Sequence, residues 1–459
     1  MAFRHRGLLA AAAGITAFAA FAAGAAERAT LFRDVNVITM TDDRVLPHRD
    51  VLVRDGRIAS ITTTGARTVG AADALVVAGE GRYLMPGLAE MHAHLPGPRK
   101  EQYGKDILLL FVAHGVTTIR SMLGDPWHLE LRSRLERNEM LGPRLFASGP
   151  SLNGKSVPDV ARAVSIVREE AAAGYDFLKL HPGLSLPVFD TIAKTADARH
   201  ITFQGHISSD VGVLRALEAR QRAIDHLDGY VEELAERKCR EAAEDTGFFG
   251  ASIVQCVDEK RIPELVRRTK AAGTWMVPTE ALMEHWADAA SIEQTRSPAA
   301  VRYMPPEVLA QWDDIYRGSR DAAPLPRERL REFVNVRRAI LREMHRQQVP
   351  IALGSDAPQI FNVPGDSALE ELRVYVDIGL TPYEALRTAT VAPAQFFNAT
   401  DRFGTVREGL VADLILVQRN PLEDISALRE LRGVMMRGRW LPREKLDELL
   451  EQVAARARG

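Results

Sequence analysis

Cysteine is almost absent: Cys239 and Cys256 are the only two in 459 residues. Neither lies near the N-terminus, which argues against a lipid-anchored form. They would have the chance to pair in an oxidising compartment, but spacing along a chain does not fix a Cα–Cα distance, so the pairing stays open. Excess charge is missing as well. The net charge is −2, the sequence pI is about 6.7 and no block of Lys or Arg stands out, so the electrostatic footprint of a nucleic-acid-binding protein is excluded. No low-complexity tract or short-period repeat follows the N-terminus. What remains is an ordinary globular composition, 46% hydrophobic, long enough for a large domain plus a smaller one and in keeping with a soluble enzyme.

The first residues read as a targeting segment. Arg4 and Arg6 form a positive start, an Ala/Leu/Phe run extends from Gly7 to Ala26, and Ala23-Gly24-Ala25 has the small-x-small form of a cleavage site. An uncleaved anchor is the alternative, because the run approaches spanning length. The run is only weakly apolar and no aromatic or basic belt follows it, so the reading is a signal peptide over 1–26 and an exported, periplasmic or secreted protein with no stable membrane association once cleaved.

From 27 to 84 the pattern is all β: ATLFRDVNVITM, RDVLVRDG and RIASITTT are short β-branched runs, with Asp55-Gly56 as a hairpin signal. Over 85–402 strands alternate with helical segments. Candidate strands are 87–95, 116–123, 144–149, 176–181, 201–207, 221–227, 274–280 and 350–356. Eight such strands predict a (β/α)₈ barrel. TPYEALRTATVAPAQFF reads as two short helices, and 403–445 returns to β-type sequence before a C-terminal helix or tail over 446–459. The segments flanking the barrel are therefore expected to build one small composite β-sandwich domain. A long insertion at 283–331, carrying Trp286, Trp312 and Tyr316, is expected to be a lid or substrate wall at the C-terminal face.

Chemistry in a barrel sits at the C-terminal ends of its strands. His92 and His94 are two apart on the first strand, so both imidazoles face one side. Lys179 lies in an apolar strand on the same face as His181. Burying a lone ammonium is costly, so such a lysine loses its charge or finds a partner. Converted to a carbamate by carbon dioxide, it becomes an anionic oxygen donor able to bridge two metal ions. His206 and His226 each close a strand, and Asp356 follows the small residues Gly354 and Ser355. A carboxylate there can touch a metal and exchange a proton with water activated by it. His5, His48, His114, His128, His200, His285 and His345 fall in helical stretches, loops or the termini and read as solvated or satisfied. His181, at the rim, either contacts substrate or caps its strand.

PGLAEMHAHL, GYDFLK, GHIS, AIDHLDGY and GSDAP resemble the amidohydrolase superfamily, specifically its imidazolonepropionase-like and Xaa-Pro dipeptidase (prolidase) branch, over nearly the whole mature chain. The resemblance implies that His92, His94 and Asp356 hold one ion, that His206 and His226 hold a second, and that carbamylated Lys179 is shared. Zinc suits the histidine and carboxylate set best, with manganese or cobalt as alternatives. Two features depart from the pattern. Glu90 stands where these relatives usually carry Asp, and Lys179 moves the chain from the one-metal imidazolonepropionase side toward prolidase. Tyr230 resembles a tyrosine that polarises the substrate carbonyl, and Arg120, near the end of the second strand, is a candidate for a substrate carboxylate.

The expectation is thus a binuclear metal-dependent hydrolase of a dipeptide or N-acyl amino acid, with hydroxide as nucleophile and Asp356 shuttling the proton. Hydrolysis of a cyclic amide, lactone or organophosphate ester on the same site is the alternative. A catalytically dead binding protein is disfavoured because none of the six ligand positions is lost. The partner implied is a small-molecule amide or dipeptide, not nucleic acid; a homo-oligomer is left open.

Overall fold

A computed structural model describes residues 29–243, 245–288, 299–322 and 324–459. The targeting segment expected at 1–26 and part of the 283–331 insertion lie outside them.

The small domain draws on both ends of the chain. Strands Thr30–Ile38, Val45–Arg54, Arg57–Thr63, Leu75–Ala78 and Tyr83–Pro86 join Leu414–Val417, Leu431–Met436 and Arg439–Pro442 in one eight-stranded sheet. The seam is the antiparallel pairing of Tyr83–Pro86 with Leu414–Val417. Alternating Val, Leu and Ile place one face inward, where Phe32, Val35, Val51, Leu414 and Leu416 are buried together. Phe32 and Trp440, four strands apart in the sheet order, meet edge-on at 5.1 Å between ring centroids, so the sheet curls until its walls face one another. Asp55-Gly56 makes the expected hairpin, both residues having positive φ (49° and 72°). A Cβ on Gly56 would stand 2.9 Å from the Arg437 carbonyl oxygen, so only glycine lets the C-terminal segment pass that close.

The barrel strands are Leu88–Ala93, Val116–Ser121, Arg144–Ala147, Phe177–Leu180, Thr202–Gly205, Ala223–Asp225 and Trp275–Val277, with parallel pairing between neighbours. The third and fourth strands are joined by single bridges, Ser148 to Phe177 and Leu152 to Leu180. The eighth expected strand, 350–356, is not a continuous ladder. It closes the barrel through bridges of Ile351 to Met276 and Ala357 to Ala93. Its backbone donates and accepts across both seams, Ala352 N to Met276 O at 2.9 Å and Met91 N to Leu353 O at 2.8 Å. At its end Asp356 takes a left-handed conformation (φ 64°), which turns the chain out of extended geometry at the site.

Helices between the strands follow the local signals. Val160–Ala173 starts on Asp159, whose carboxylate accepts from Arg162 N, and stops at Gly174 in the left-handed region. Pro382–Thr388 opens with a capping box of Thr381 and Glu384, and Val391–Phe396 follows as the second short helix expected there. The C-terminal helix Arg443–Ala457 lies against Glu101–Ala113, with Arg456 paired to Asp106 at 2.6 Å.

The 283–331 insertion is largely helical in its described parts (Glu280–Asp288, Ala299–Tyr303, Pro306–Ala322 and the start of Arg327–Arg346), and the rings of Trp286, Trp312 and Tyr316 are buried. Trp312 and Tyr316 pack against Phe361, just beyond Asp356, because rings this large stabilise most when dehydrated. Cys239 and Cys256, whose pairing the sequence left open, form a disulfide with Cα atoms 6.4 Å apart. Among the described residues no helix is long and apolar enough to cross a membrane.

Candidate metal centre

At the C-terminal mouth of the barrel the residues singled out by sequence converge. The rings of His92 and His94 lie 5.2 Å apart, His92 and His226 4.6 Å, and His206 and His226 4.6 Å. The Asp356 carboxylate enters this ring of imidazoles, Oδ1 lying 2.6 Å from His94 Nε2 and 3.4 Å from His92 Nε2. Lys179 stands beneath, fully buried, with Nζ donating to Asp225 Oδ2 at 3.2 Å.

Asp225 is the ligand-shell residue that sequence reasoning missed. It is fully buried, accepts from Arg120 Nη2 at 2.8 Å and from Lys179, and approaches His92 Nδ1 at 3.4 Å. It directly precedes His226, and both side chains turn inward because His226 has φ 64°. In a regular strand neighbours would face opposite sides. Left-handed backbone recurs at Asp356 and at Thr279, the partner of His226. Clustered strain of this kind is characteristic of functional sites.

The supporting contacts orient each ring. His206 Nδ1 meets Asp228 Oδ2 at 3.0 Å and His226 Nδ1 meets Thr279 Oγ1 at 2.8 Å, leaving the other nitrogen of each ring for a ligand. Glu90 accepts from His92 N, Ser355 N and Ser355 Oγ at 2.7–2.8 Å, tying the first and eighth strands together beneath the site. Burial pushes its carboxyl up to about 7. Gly354 matters for the same closure: a Cβ there would meet Val277 Cγ1 at 2.4 Å and His92 backbone N at 3.0 Å. The small residue thus admits the neighbouring strand rather than substrate.

Protonation suits cation binding. Burial first, then neighbouring cationic groups, brings His92 down to about 4, His206 to about 3 and His181 to about 2, so these three imidazoles are neutral at pH 7 and each keeps a lone pair. Burial opposes ionisation of Asp356, but His92, His94 and His226 outweigh it and hold the carboxyl below its usual range. Burial also lowers the Lys179 amine against the pull of Asp225 and Asp356, favouring the neutral form that can add carbon dioxide. Donor atoms of His92, His94 and Asp356 lie within 4.8 Å of one another, and so do those of His92, Asp225 and His226. Nδ1 of both His92 and His94 is buried without a hydrogen bond. Such a set fits a divalent cation. The second grouping puts Asp225 beside His226 where His206 was expected.

The three residues expected to touch substrate part company. His181 stays at the rim, stacked on His206 at 4.8 Å with Nδ1 2.5 Å from Ser151 Oγ. Arg120 does not reach the mouth: it is fully buried inside the barrel, bound to Asp225 and to the Met91 carbonyl. Its inward parity was right, but its length carries the guanidinium to the interior acid. Tyr230 is also withdrawn. It opens helix Tyr230–Leu234, fully buried, and its hydroxyl pairs with Thr269 Oγ1 at 2.6 Å in the helical layer. Burial pushes that phenol well above its usual range, and its hydroxyl points into the helical layer rather than toward the imidazoles.

Residues 83–441 match the model of the amidohydrolase family. The ochratoxinase of Aspergillus niger is 40% identical over 88 residues, 19% of this chain and 17% of the fungal protein, so the chain matches well under two thirds of that relative's length. Among solved structures, bottromycin amidohydrolase superposes with a TM-score of 0.72 at 23% identity, covering 94% of this chain and 91% of its own. A Xaa-Pro dipeptidase with bound methionine gives 0.65 at 19% identity, covering 90% and 100%. These likenesses share the fold, the barrel with its added β-sheet domain. With the family model spanning most of its length and the histidine and aspartate donors gathered at the barrel mouth, the chain belongs to the amidohydrolase family.

Proposed function

We propose that the chain is an exported hydrolase that uses two divalent ions, zinc foremost with manganese or cobalt as alternatives, to cleave the amide of a dipeptide or N-acyl amino acid. The observation that carries this is the convergence of His92 and His94 with ionised Asp356, beside His206, His226 and Lys179, at the mouth of the barrel. His92, His94 and Asp356 would hold one ion, His206 and His226 the other, with carbamylated Lys179 shared. Divalent ions held there supply hydroxide at neutral pH and polarise a carbonyl. Asp356 takes up the proton released on attack and returns it to the leaving amine. Asp228, Thr279 and Glu90 keep the imidazoles and Asp356 aimed, and His181 stands where an incoming substrate passes.

A second reading, hydrolysis of a cyclic amide, lactone or organophosphate ester, is favoured by one observation. Arg120 and Tyr230 are withdrawn from the mouth, which leaves His181 alone among the three candidate anchors for a free carboxylate. The deciding experiment gives metal-reconstituted protein a library of dipeptides and N-acyl amino acids, each as free acid, amide and methyl ester. The dipeptide reading expects kcat/KM to fall about 30- to 1000-fold when the carboxylate is masked, the worth of roughly 2–4 kcal/mol of transition-state binding. Equal rates for acid and amide would count against it and favour the second reading.

Export rests on residues 1–26 alone. The mature protein is expected in the periplasmic fraction with its first residue near Ala26; intact Met1–Ala25 on membrane-bound protein would identify an anchor instead.

A further inference from the structure

The chain leaving the sixth barrel strand, Ala223–Asp225, runs beside the mouth and includes two short helical pieces, Arg237–Ala242 and Phe248–Cys256. Cys239 in the first is bonded to Cys256 in the second, which makes the segment between them a closed loop. Phe249 lies in that loop, half-exposed, at φ 51°, a conformation that residues with a Cβ avoid. Its ring is 5.2 Å from that of His226 and 6.2 Å from that of His206, within 20° of parallel to the latter. The loop is seated firmly. Gly250 follows at φ 83°, and a Cβ there would meet Val231 Cγ1 at 2.7 Å, so the backbone lies directly on helix Tyr230–Leu234. Phe248 stacks on Trp286 at 4.5 Å and meets Phe249 edge-on at 4.7 Å. Phe249 borders the core, yet its ring stays partly exposed and faces two candidate ligand histidines from a left-handed backbone position. Strain kept in place by its surroundings is a mark of function.

We propose that Phe249 is a specificity-determining residue: it forms the wall of the site beside His206 and His226, takes a flat apolar group carried next to the scissile bond, and is held there by the Cys239–Cys256 disulfide. This rests on the hydrolase reading above and names its substrate class. An aromatic face rewards a planar ring with stacked contact that a flexible aliphatic chain of equal size does not make.

The test uses metal-replete full-length protein with N-acetylphenylalanine and N-acetylnorleucine as hydrolysis probes, and 1-naphthoate and hexanoate as binding probes followed by titration calorimetry. The wild type should prefer the aromatic member of each pair by roughly tenfold, mainly through KM or Kd. Phe249→Ala should bring both ratios to within about threefold and Phe249→Leu should fall between, with metal content and Tm recorded for each. Cys239→Ser should raise KM for N-acetylphenylalanine more than it lowers kcat. Unaltered ratios in Phe249→Ala would overturn the wall, and an unaltered KM in Cys239→Ser would overturn the clamp. If the wild type hydrolyses no amide offered, the hydrolase reading fails, and the naphthoate titration still decides this one: a roughly tenfold loss in Phe249→Ala supports the wall and equal affinity overturns it.

Discussion

Wild-type protein should purify with about two divalent ions per chain and Lys179→Ala with at most about one, measured by elemental analysis after gel filtration. Lys179 is fully buried, and its amine donates to Asp225 at 3.2 Å. As an ammonium it would repel divalent cations and offer them no lone pair. As a carbamate it would present one negative charge spread over two oxygen donors. The fold has to tolerate the change of sign, and Arg120 provides for this: it holds Asp225 from the other side at 2.8 Å, while its Nη1 is buried without a partner. Alanine alone would be ambiguous, since losing one partner of a buried ion pair can cost about 3–5 kcal/mol of stability. Lys179→Arg separates the two effects, because arginine keeps a cation for Asp225 but cannot carry carbon dioxide. Its Tm should stay nearer the wild type while the metal content falls as in Lys179→Ala. An arginine variant with full metal occupancy, or an unmodified lysine in a high-resolution map of metal-replete protein, would sink the bridge.

How far the site could be read in advance depended on strand parity. His92, His94, Lys179 and Asp356 were legible because each sits at an expected strand end, and the structure gathers them around the same mouth. Asp225 was not, since parity allows only one of two neighbours to face inward. His226 was given that place, and its left-handed backbone lets both occupy it. The one signal available was two adjacent ionisable residues in the otherwise apolar AIDH. Arg120 and Tyr230 lie away from the mouth for a different reason. Parity assigns a face but neither depth along the barrel axis nor the turn between a strand end and the next helix. The guanidinium therefore ends beside Asp225, and the phenol ends against Thr269 in the helical layer. The aromatic residues of the insertion, like the cysteine pair, depend on contacts distant in sequence, with Phe361 and Phe248 for the rings. Composition and periodicity do not record such contacts. The β-domain was legible because period-two alternation and the Asp55-Gly56 turn are local signals, and only its curl, seen in Phe32 against Trp440, is not.

Asp356→Asn should lower kcat by about 10²- to 10⁴-fold, the usual worth of a positioned proton-transfer group, while retaining most of the metal. Asparagine is nearly isosteric and keeps a side-chain oxygen for coordination. It loses the negative charge and any capacity to accept a proton near neutral pH. In the wild type the carboxylate is ionised at every working pH, because burial, which would favour the acid, is outweighed by three imidazoles around it. That makes it a weak base toward bulk water, so its usefulness rests on position: Oδ1 is 2.6 Å from His94 Nε2, at the centre of the ligand ring. Geometry at this point is imposed by the chain. Asp356 is held left-handed between Ser355, which Glu90 fixes through two hydrogen bonds, and Ala357, which accepts from His94 N at 2.9 Å. Asparagine should adopt the same backbone at little cost, because left-handed conformations suit Asn and Asp about equally well. A fall in kcat therefore reports lost proton transfer rather than a displaced strand. Elemental analysis and Tm on the same preparation check that premise. An asparagine variant with near-normal metal and kcat within tenfold of wild type would mean that another group carries the proton.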